Sequence, residues 1–378
     1  MPRILISVTS DLITDQRVHR TAGALHQAGY AVLVIGRQLS NTALDNRPYL
    51  TRRFKLWFTK GPMFYFSYNL RLFLFLLFTK ADILFANDLD TLMPNYLCSR
   101  MKRIPLIYDS HEYFTGVPEL EGRRVVKFIW KSIERWIIPQ LTYMITVNNS
   151  IASLYKKEYD SSFAVVRNVP SIDFELPVVD KIKFKTENNL PADKPMIILQ
   201  GNGINIHRGS EELVEAMQHV SNAYLLIAGN GDVIEILKSK VRELHLENKV
   251  FFKPRMPYKQ LLQYTCCAHL GISFDKPTNI NYKLSLPNKL FDYMYCGVPV
   301  LITNLPEPAA IVKQHECGYV LHEFSVKSIA DSLSNIFSNP EDLNIKRENA
   351  LRTATHFSWQ NEKNILLDVV AKATTSRK

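Results

Sequence analysis

The sequence lacks paired cysteines, low-complexity segments and any apolar run long enough to cross a membrane. Five cysteines occur in 378 residues without a Cys-X-X-Cys pair, and their odd number leaves one over in any pairing. This pattern is typical of reduced thiols in a cytosolic protein and excludes a disulfide scaffold. Hydrophobic residues make up 46% and charged residues 22% of the chain, which excludes disordered, collagen-like and coiled-coil classes.

The most apolar stretch, residues 62–78, falls short of a membrane span. Asn69 and Arg71 interrupt it and only seven uninterrupted apolar residues follow, whereas a span needs about 20. Two interpretations stay open: a helix buried under an N-terminal sheet, or a helix whose exposed part touches a bilayer. The first apolar run, residues 4–8, is expected to be a core strand and is too short for a signal peptide.

Positive charge is concentrated in the N-terminal half. Of the formal net charge of +10, residues 1–170 carry +9, with 22 Lys and Arg against 13 Asp and Glu. A basic N-terminal half is suited to binding a nucleic acid, an anionic membrane or an acidic substrate, and the composition alone does not choose between them. A cationic helix with an aromatic face is typical of an interfacial anchor, although most charge runs are solvated faces. The basic groups are Arg52, Arg53, Lys55 and Lys60, and then Arg123, Arg124, Lys127, Lys131 and Arg135 around Phe128, Ile129 and Trp130.

Short β-rich runs alternate with helical patterns along the chain. This alternation predicts parallel, doubly wound sheets, and its restart after residue 195 predicts two Rossmann-like α/β domains. We expect an N-terminal domain at 1–170, a proline-containing linker at 171–195 and a C-terminal domain at 196–357, with a helix at about 358–378 that packs back on the first domain. The predicted strands are 4–8, 31–35, 83–86, 104–108 and 144–147, then 196–200, 223–228, 250–253, 269–273 and 298–303.

Two glycine-rich turns follow strands of the predicted C-terminal sheet. Gly203 and Arg208 lie between strand 196–200 and a helix expected at 209–220. Glycines let a phosphate approach the backbone, the helix start offers free N–H groups, and Arg208 can bind phosphate with two hydrogen bonds. Gly229 and Gly231 follow the next strand, at the edge where such sheets bind ligands. On their own these turns are a weak signal, because a glycine turn beside a solvated arginine explains them equally well.

The segment from Tyr282 to Val300 carries more specific chemistry. A polar loop contains Ser285, Asn288 and Lys289, and it is expected to lead into a short helix that carries Asp292. Asp292 lies one turn after Lys289. Lysine supplies a point charge for a diphosphate, and a carboxylate at i+3 can accept both hydroxyls of a ribose. The alternative is a solvent-exposed Lys–Asp pair on a helix surface.

Taken together, these segments resemble the retaining family 4 glycosyltransferases of the GT-B fold. The resemblance implies two Rossmann-like domains with a cleft between them, a nucleotide-sugar donor, and a donor site formed by Gly203, Arg208, Gly229 and Gly231 with the segment just described. It places His111 near the reaction centre and implies catalytic parts for Arg208 and Lys289. The implied acceptor-side residues are Asp15, Arg17, Asp88, Asp109 and Glu112. The segments that match are 15–20, 29–32, 86–90, 108–112, 167–170, 208–209, 229–231 and 287–299.

The chain departs from the family at one carboxylate. The family usually carries two glutamates separated by seven residues; here the second position is Asp292 and the first is Leu284. The group that holds the hydroxyls of the transferred sugar is therefore unassigned, with Ser285 and Asn288 as substitutes. A retaining class implies no dedicated base, so the leaving diphosphate, neutralised by Arg208 and Lys289, is expected to accept the proton. No metal or other cofactor is expected, because Asp88-Leu-Asp90 has a metal-type spacing but lies in the acceptor half.

We therefore expect a cytoplasmic transferase, peripheral on the inner face of the plasma membrane, that builds a surface polysaccharide or a lipid-linked glycan. The basic, aromatic N-terminal surface suits an anionic lipid carrier, and no nucleic-acid partner is expected. Two alternatives stay open: a nucleotide-sugar epimerase, which would need paired acid/base carboxylates, and a non-catalytic nucleotide-sugar-binding subunit, suggested by Leu284. An NAD-linked dehydrogenase is disfavoured because residues 4–10 are not followed by Gly-X-Gly-X-X-Gly.

Overall fold

The computed structural model describes residues 1–13, 15–39, 44, 46–171 and 176–376. The chain divides into two compact units: the first comprises Met1–Asn168 together with Gln360–Lys378, and the second comprises Val169–Trp359. Each unit contains one parallel sheet connected through helices. This arrangement confirms the predicted pair of Rossmann-like α/β folds.

The first unit is built on a seven-stranded sheet. Its strands are β1 (Arg3–Asp11), β2 (Ala31–Arg37), β3 (Leu50–Phe54), β4 (Ile83–Asn87), β5 (Leu106–Ser110), β6 (Tyr143–Thr146) and β7 (Ala164–Val165). Its helices are α1 (Gln16–Gln27), α2 (Gly61–Phe78), α3 (Leu89–Lys102), α4 (Arg124–Ile137) and α5 (Asn149–Tyr159). The strands pair in parallel in the order β3-β2-β1-β4-β5-β6-β7. The edge strands β3 and β7 were not predicted from the sequence pattern.

Buried aliphatic strands hold the first unit together. Every residue of β4 and β5 is buried, and Ile4, Leu5 and Ile6 of β1 have no exposed surface, as expected for parallel strands covered on both faces. Asp15 caps α1, because its Oδ1 accepts the backbone N–H of Val18 at 3.0 Å. This bond satisfies one of the donors that a helix start leaves unpaired.

Helix α2 has one buried apolar face, which agrees with the interpretation of residues 62–78 as a helix packed on the N-terminal unit, and contact with a bilayer stays a prediction. Phe64, Tyr68, Leu72 and Leu76 form a buried stripe, whereas the opposite stripe is exposed. Helix α4 lies beside it, since the rings of Tyr65 and Trp130 make an edge-on contact at 5.2 Å. The exposed apolar side chains of both helices and of the loop before α2 are here named the α2–α4 surface: Trp57, Phe58, Met63, Phe66, Leu70, Leu74, Phe78, Val125, Phe128, Ile129 and Trp136. None of the helices in the described ranges combines the length and apolarity needed to cross a bilayer.

The second unit has a six-stranded sheet. Its strands are β8 (Met196–Gly201), β9 (Tyr224–Gly229), β10 (Val250–Lys253), β11 (Leu270–Ser273), β12 (Val300–Ile302) and β13 (Gly318–Val320). Helices α6 (Lys181–Glu187), α7 (Ser210–Ala216), α8 (Ile234–Glu243), α9 (Tyr258–Cys267) and α10 (Ile280–Lys283) precede α11 (Asn288–Tyr295), α12 (Pro306–His315), α13 (Val326–Ser338) and α14 (Pro340–His356). The strands pair in parallel in the order β10-β9-β8-β11-β12-β13.

Two segments near the unit boundaries join a folded core. Within the expected linker 171–195, α6 belongs to the second unit, where the Phe184 and Tyr264 rings are 4.9 Å apart. The last helix, α15 (Trp359–Thr375), belongs to the first unit from Gln360 onward. There the buried Glu362 accepts the Arg167 backbone N–H at 2.7 Å.

Each sheet has a switch point at which the strand order reverses direction. In the first unit it lies between β1 and β4, and in the second between β8 and β11. Ligands of open α/β sheets bind beyond the carboxyl ends of the strands at such a point. The sequence-predicted site residues follow these strand ends or the neighbouring ones.

Candidate active-site groups of the two units

The carboxyl edge of the first sheet carries an ion-pair network around Asp109. Asp109 is buried in β5 and takes two hydrogen bonds from Arg17, Nη2 to Oδ1 at 2.7 Å and Nε to Oδ2 at 3.1 Å. Arg17 also donates from Nη1 to the carbonyl oxygen of Val166 at 2.8 Å. Burial alone would raise the pKa of Asp109, but Arg17 and His111 lower it to about 2. The carboxylate therefore stays ionised at neutral pH.

His111 is clamped between two carboxylates. Nδ1 lies 3.2 Å from Asp88 Oδ2, and Nε2 lies 3.3 Å from Asp109 Oδ2 and 3.1 Å from Asn87 Oδ1. Burial alone would lower the pKa of the imidazole, but Asp88 and Asp109 raise it well above its usual range. His111 is therefore an imidazolium at neutral pH, which is a positive charge and a donor rather than a base.

Asp88 and Asp90 lie in the turn from β4 into α3. Asp88 has a left-handed φ of 60°, a strained conformation that is concentrated at functional sites, and its Oδ1 accepts the His111 backbone N–H at 2.9 Å. Asp90 is buried, and its Oδ2 accepts the Thr9 hydroxyl at 2.5 Å. Oδ1 of Asp90 has no hydrogen-bond partner within the described part of the chain. Burial, and then the charge of Asp88, raise the pKa of Asp90 to about 7.

Asp15 and Glu112 lie at the same edge. Besides capping α1, Asp15 accepts the Ser10 hydroxyl through Oδ2 at 2.6 Å, so both of its oxygens serve the protein. Glu112 is half-buried, and its carbonyl oxygen accepts the Ser110 hydroxyl at 2.7 Å. Of the predicted acceptor-side residues, the structure connects three with His111 in one network: Arg17, Asp88 and Asp109.

In the second unit, the two glycine turns pack against each other. A side chain on Gly229 would meet the Gly201 carbonyl oxygen at 1.8 Å, and one on Gly231 would meet the Ile204 carbonyl oxygen at 2.0 Å. One on Gly203 would meet nothing within 4 Å. The close packing of the two turns explains by itself why positions 229 and 231 are glycine. That these glycines bind the donor stays a prediction.

Arg208 lies in a tight turn after β8. His207 before it and Gly209 after it both have left-handed φ, 67° and 68°. Its Nη1 donates to Oδ1 of Asp275 at 2.6 Å, and its guanidinium lies over the Tyr282 ring, 4.5 Å from the centroid. Nε of Arg208 is buried without a partner in the described residues. The side chain is therefore held in place while its Nε donor is left without a partner in the described residues.

Lys289, the second residue of α11, lies close enough to this pair to interact electrostatically. Burial lowers the pKa of its ammonium group, Asp275 raises it and Arg208 lowers it. No hydrogen bond or ion pair from the described residues holds this ammonium group. Lys289 is half-buried, and a partly desolvated cation without a partner is stabilised when an anion binds it. Arg208 and Lys289 together are thus suited to an anionic ligand such as a diphosphate.

Asp292 has two partners within the second unit. Oδ1 accepts the Tyr258 hydroxyl at 2.6 Å, and Oδ2 accepts the Gln200 amide at 3.1 Å. In the described residues, Lys289 and Asp292 do not form the surface ion pair that was the alternative interpretation of this segment. A carboxylate can accept several hydrogen bonds, and binding of a ribose by Asp292 stays a prediction.

The remaining predicted donor residues lie around the same helices. The Ser285 hydroxyl donates to the Tyr282 carbonyl oxygen at 2.9 Å, and Asn288 is exposed. Helix α7 is shorter than the predicted 209–220, and its first turn carries Glu211 and Glu212. These carboxylates already complement the helix dipole. The start of α7 is therefore poorly suited to a phosphate, and the charge for a diphosphate comes from the side chains.

Sequence reasoning missed Asp275 and Tyr258. Asp275 had a usable signal, because it lies two residues after a buried strand, at the edge where ligands bind. Tyr258 had none, since it stands 34 residues from Asp292. No group of three or more His, Cys, Asp or Glu side chains in the described ranges is arranged to hold a metal ion.

Solved structures similar to the whole chain show that it has the GT-B fold. Sucrose-phosphate synthase from Thermosynechococcus elongatus matches with a TM-score of 0.82 at 16% identity, over 100% of both chains. Anabaena Alr3699/HepE in complex with UDP-glucose matches with a TM-score of 0.76 at 14% identity, over 98% of this chain and 100% of that one. At these identities the likeness shows the fold.

Family models match both halves of the chain. The model described as Glycosyltransferase Family 4 matches residues 15–170, and the model described as Glycosyl transferases group 1 matches residues 180–353. The chain belongs to the family 4 glycosyltransferases. The chitobiosyldiphosphodolichol beta-mannosyltransferase of Candida albicans is 25% identical over 223 residues, 55% of this chain and 48% of that protein. The chain spans about half the length of the curated relatives it matches.

Proposed function

We propose that this enzyme transfers a hexosyl group from a nucleoside-diphosphate sugar to a glycan or lipid-linked acceptor in surface polysaccharide synthesis. The observation that carries the donor half is the Arg208–Asp275 pair beside the unpartnered ammonium group of Lys289. Two cations against one carboxylate leave one positive charge in excess, which a diphosphate would neutralise. The UDP-glucose complex of Anabaena HepE supports a UDP-sugar as the first donor to test.

We infer that the transfer retains the anomeric configuration. Arg208 and Lys289 would stabilise the charge on the leaving diphosphate, and a diphosphate oxygen would accept the proton of the attacking hydroxyl. The clamp on His111 supports this mechanism, because both of its ring nitrogens face carboxylates and neither is free to act as a base. An inverted product would contradict retention and would point to Asp90 as the proton acceptor.

The α2–α4 surface supports a lipid-linked acceptor. Phe66 and Phe128 are 63% and 69% exposed, and Arg123, Arg124 and Lys127 are exposed at the start of α4. Aromatic side chains beside basic ones suit an anionic lipid surface, which attracts each Lys or Arg by roughly 1 kcal/mol. The name of the Candida relative also includes a diphosphodolichol. We infer a peripheral location on the inner face of the plasma membrane.

The test is incubation of the purified protein with UDP- and GDP-hexoses, in vesicles containing lipid-linked acceptors, with release of nucleoside diphosphate as the readout. Release with sugar transfer supports the proposal, and the anomeric configuration of the product decides the stereochemistry. Conversion of the sugar without release would indicate the epimerase. Tight binding with neither reaction would indicate a binding subunit.

A further inference from the structure

Asp275 is a buried carboxylate with one oxygen left over. It lies two residues after the end of β11, at the switch point of the second sheet, and its side chain is 1% exposed. Oδ1 accepts Arg208 Nη1 at 2.6 Å, whereas Oδ2 is buried without a hydrogen-bond partner in the described part of the chain. A buried polar atom left unpaired costs about 1–3 kcal/mol. Such an atom at a ligand-binding edge is more readily explained by a ligand than by packing.

The groups around Asp275 provide a hydrogen-bond partner for its Oδ1 but, in the described residues, none for its Oδ2. Its backbone is fixed, because its carbonyl oxygen accepts the Thr303 hydroxyl at 2.8 Å. The next residue, Lys276, is engaged with Glu212 at 2.5 Å. The Lys289 ammonium group influences Asp275 electrostatically without forming an ion pair with it in the described structure. The unused oxygen therefore lies beside two cations that are themselves suited to a diphosphate.

We propose that Oδ2 of Asp275 accepts a hydroxyl of the transferred sugar, so that Asp275 determines donor specificity. The inference rests on the proposed function, since it requires a nucleotide sugar. An ionised carboxylate only accepts hydrogen bonds, so this oxygen selects a hydroxyl and repels phosphate oxygens. If Arg208 and Lys289 hold the diphosphate, the hydroxyls nearest to its distal phosphate belong to the sugar attached there. The ribose is attached at the other end of the diphosphate.

This assignment also supplies the acceptor of sugar hydroxyls that Leu284 does not provide. Leu284 follows α10 and carries an apolar side chain, which cannot accept a hydrogen bond. The Ser285 hydroxyl, which donates to the Tyr282 carbonyl oxygen, can still accept a hydrogen bond, but it is uncharged. A charged acceptor also forms a stronger hydrogen bond with a hydroxyl than a neutral acceptor does.

The experiment compares binding of UDP with UDP-glucose, and of GDP with GDP-mannose, by calorimetry on the full chain. One of the two nucleotide sugars will bind the wild type more tightly. Asp275→Asn should lower the affinity for that nucleotide sugar by about tenfold or more, as expected when a hydrogen bond to a charged group is lost. The matching nucleoside diphosphate should bind equally well or more tightly, because a negative charge beside its phosphates is gone. Glu212→Gln is the matched control, since it breaks the adjacent ion pair with Lys276 without touching Arg208. It should leave both affinities within about twofold.

Each other outcome has a distinct meaning. An equal loss for diphosphate and nucleotide sugar would overturn the proposal and show that Asp275 acts only by positioning Arg208, or that it reads the ribose. Unchanged affinity for the nucleotide sugar would also overturn it. Deoxy-sugar analogues give a second test: one of them should bind the wild type about tenfold more weakly and lose nothing further in Asp275→Asn. If the wild type binds no nucleotide sugar at all, the proposed function itself has failed.

Discussion

Arg17 and Asp109, 92 residues apart in the chain, meet through two hydrogen bonds inside the first unit. Their side chains are 6% and 1% exposed, so water does not screen the pair. The flat guanidinium matches both carboxylate oxygens at once. The pair fixes the start of α1 to the end of β5, next to His111.

Removing one partner of this pair should be costly. Asp109→Asn is expected to lower the free energy of unfolding by about 3–5 kcal/mol, because Arg17 would remain charged, buried and uncompensated. Lys156→Ala, which breaks the exposed Lys156–Asp160 pair, should cost less than about 1 kcal/mol. Denaturant titration of both variants measures the difference. Equal losses would mean that the buried pair contributes nothing beyond an exposed one.

Asp90 should make stability fall as the pH rises. Its pKa is raised from 3.8 to about 7 in the folded chain, so the folded state holds the proton more tightly than the unfolded state. The stabilisation is complete below about pH 4 and is lost as the pH rises through about 7. Asp90→Asn should remove this loss and raise the melting temperature at pH 8 more than at pH 5. The same shift at both pH values would contradict the prediction, and Asp368→Asn on the exposed face of α15 is the control.

The pattern of alternating strands and helices was sufficient to predict both sheets. The spacing of apolar residues, and hence which strands are buried, can be inferred from short stretches of the sequence. Three edge strands were missed, β3, β7 and β13, since edge strands lack the continuous apolar run of central ones. At the site, Arg208 and Lys289 were found from local motifs. The position of Asp275 after a strand was a local signal, but its pairing with Arg208 depends on the side-by-side placement of β8 and β11, which no local spacing reveals. The clamp on His111 likewise required the register of β4 against β5.

Lys289→Ala should weaken binding of the nucleoside diphosphate. The lost contact to a charged group is worth about 1.5–3 kcal/mol, or roughly 10- to 150-fold in affinity. Calorimetry with UDP and GDP measures it. Lys283→Ala is a suitable control. Like Lys289, this lysine follows β11 in the chain, but it is exposed at the end of the short helix α10. Unchanged affinity in Lys289→Ala would show that the diphosphate binds elsewhere.

Transfer should not require a divalent metal ion. Arg208 and Lys289 would supply the positive charge that a metal ion supplies to a leaving diphosphate in other transferases. Activity after dialysis against EDTA should equal that of the untreated protein. Loss of activity that added Mg²⁺ or Mn²⁺ restores would disprove this.

The first unit should bind anionic vesicles through the α2–α4 surface. Co-sedimentation with vesicles containing phosphatidylglycerol is expected, and release is expected as ionic strength rises and the Debye length falls below about 8 Å. Replacing Arg123, Arg124 and Lys127 with glutamate should weaken sedimentation and leave nucleotide binding intact. Phe128→Ser should weaken it at every salt concentration, because it removes apolar insertion rather than charge.

The control for this experiment changes the same charge in the second unit. Lys183, Lys313 and Lys327 are exposed there, and their replacement with glutamate should leave sedimentation unchanged. Equal weakening by both triple variants would indicate a response to net charge alone. Equal binding to neutral and anionic vesicles, or no binding to either, would remove the main support for a lipid-linked acceptor.

The order of the chain through the two units has a consequence for synthesis. The second unit, Val169–Trp359, is continuous, whereas the first is completed only by residues from Gln360 onward. On the ribosome, the second unit is therefore complete before the first has its last helix, although domains are usually finished in order from the N-terminus. Until then the Arg167 backbone N–H and guanidinium lack the Glu362 carboxylate that binds both. Of the two units, the one whose first strand is synthesised earlier is the one whose last helix is synthesised later.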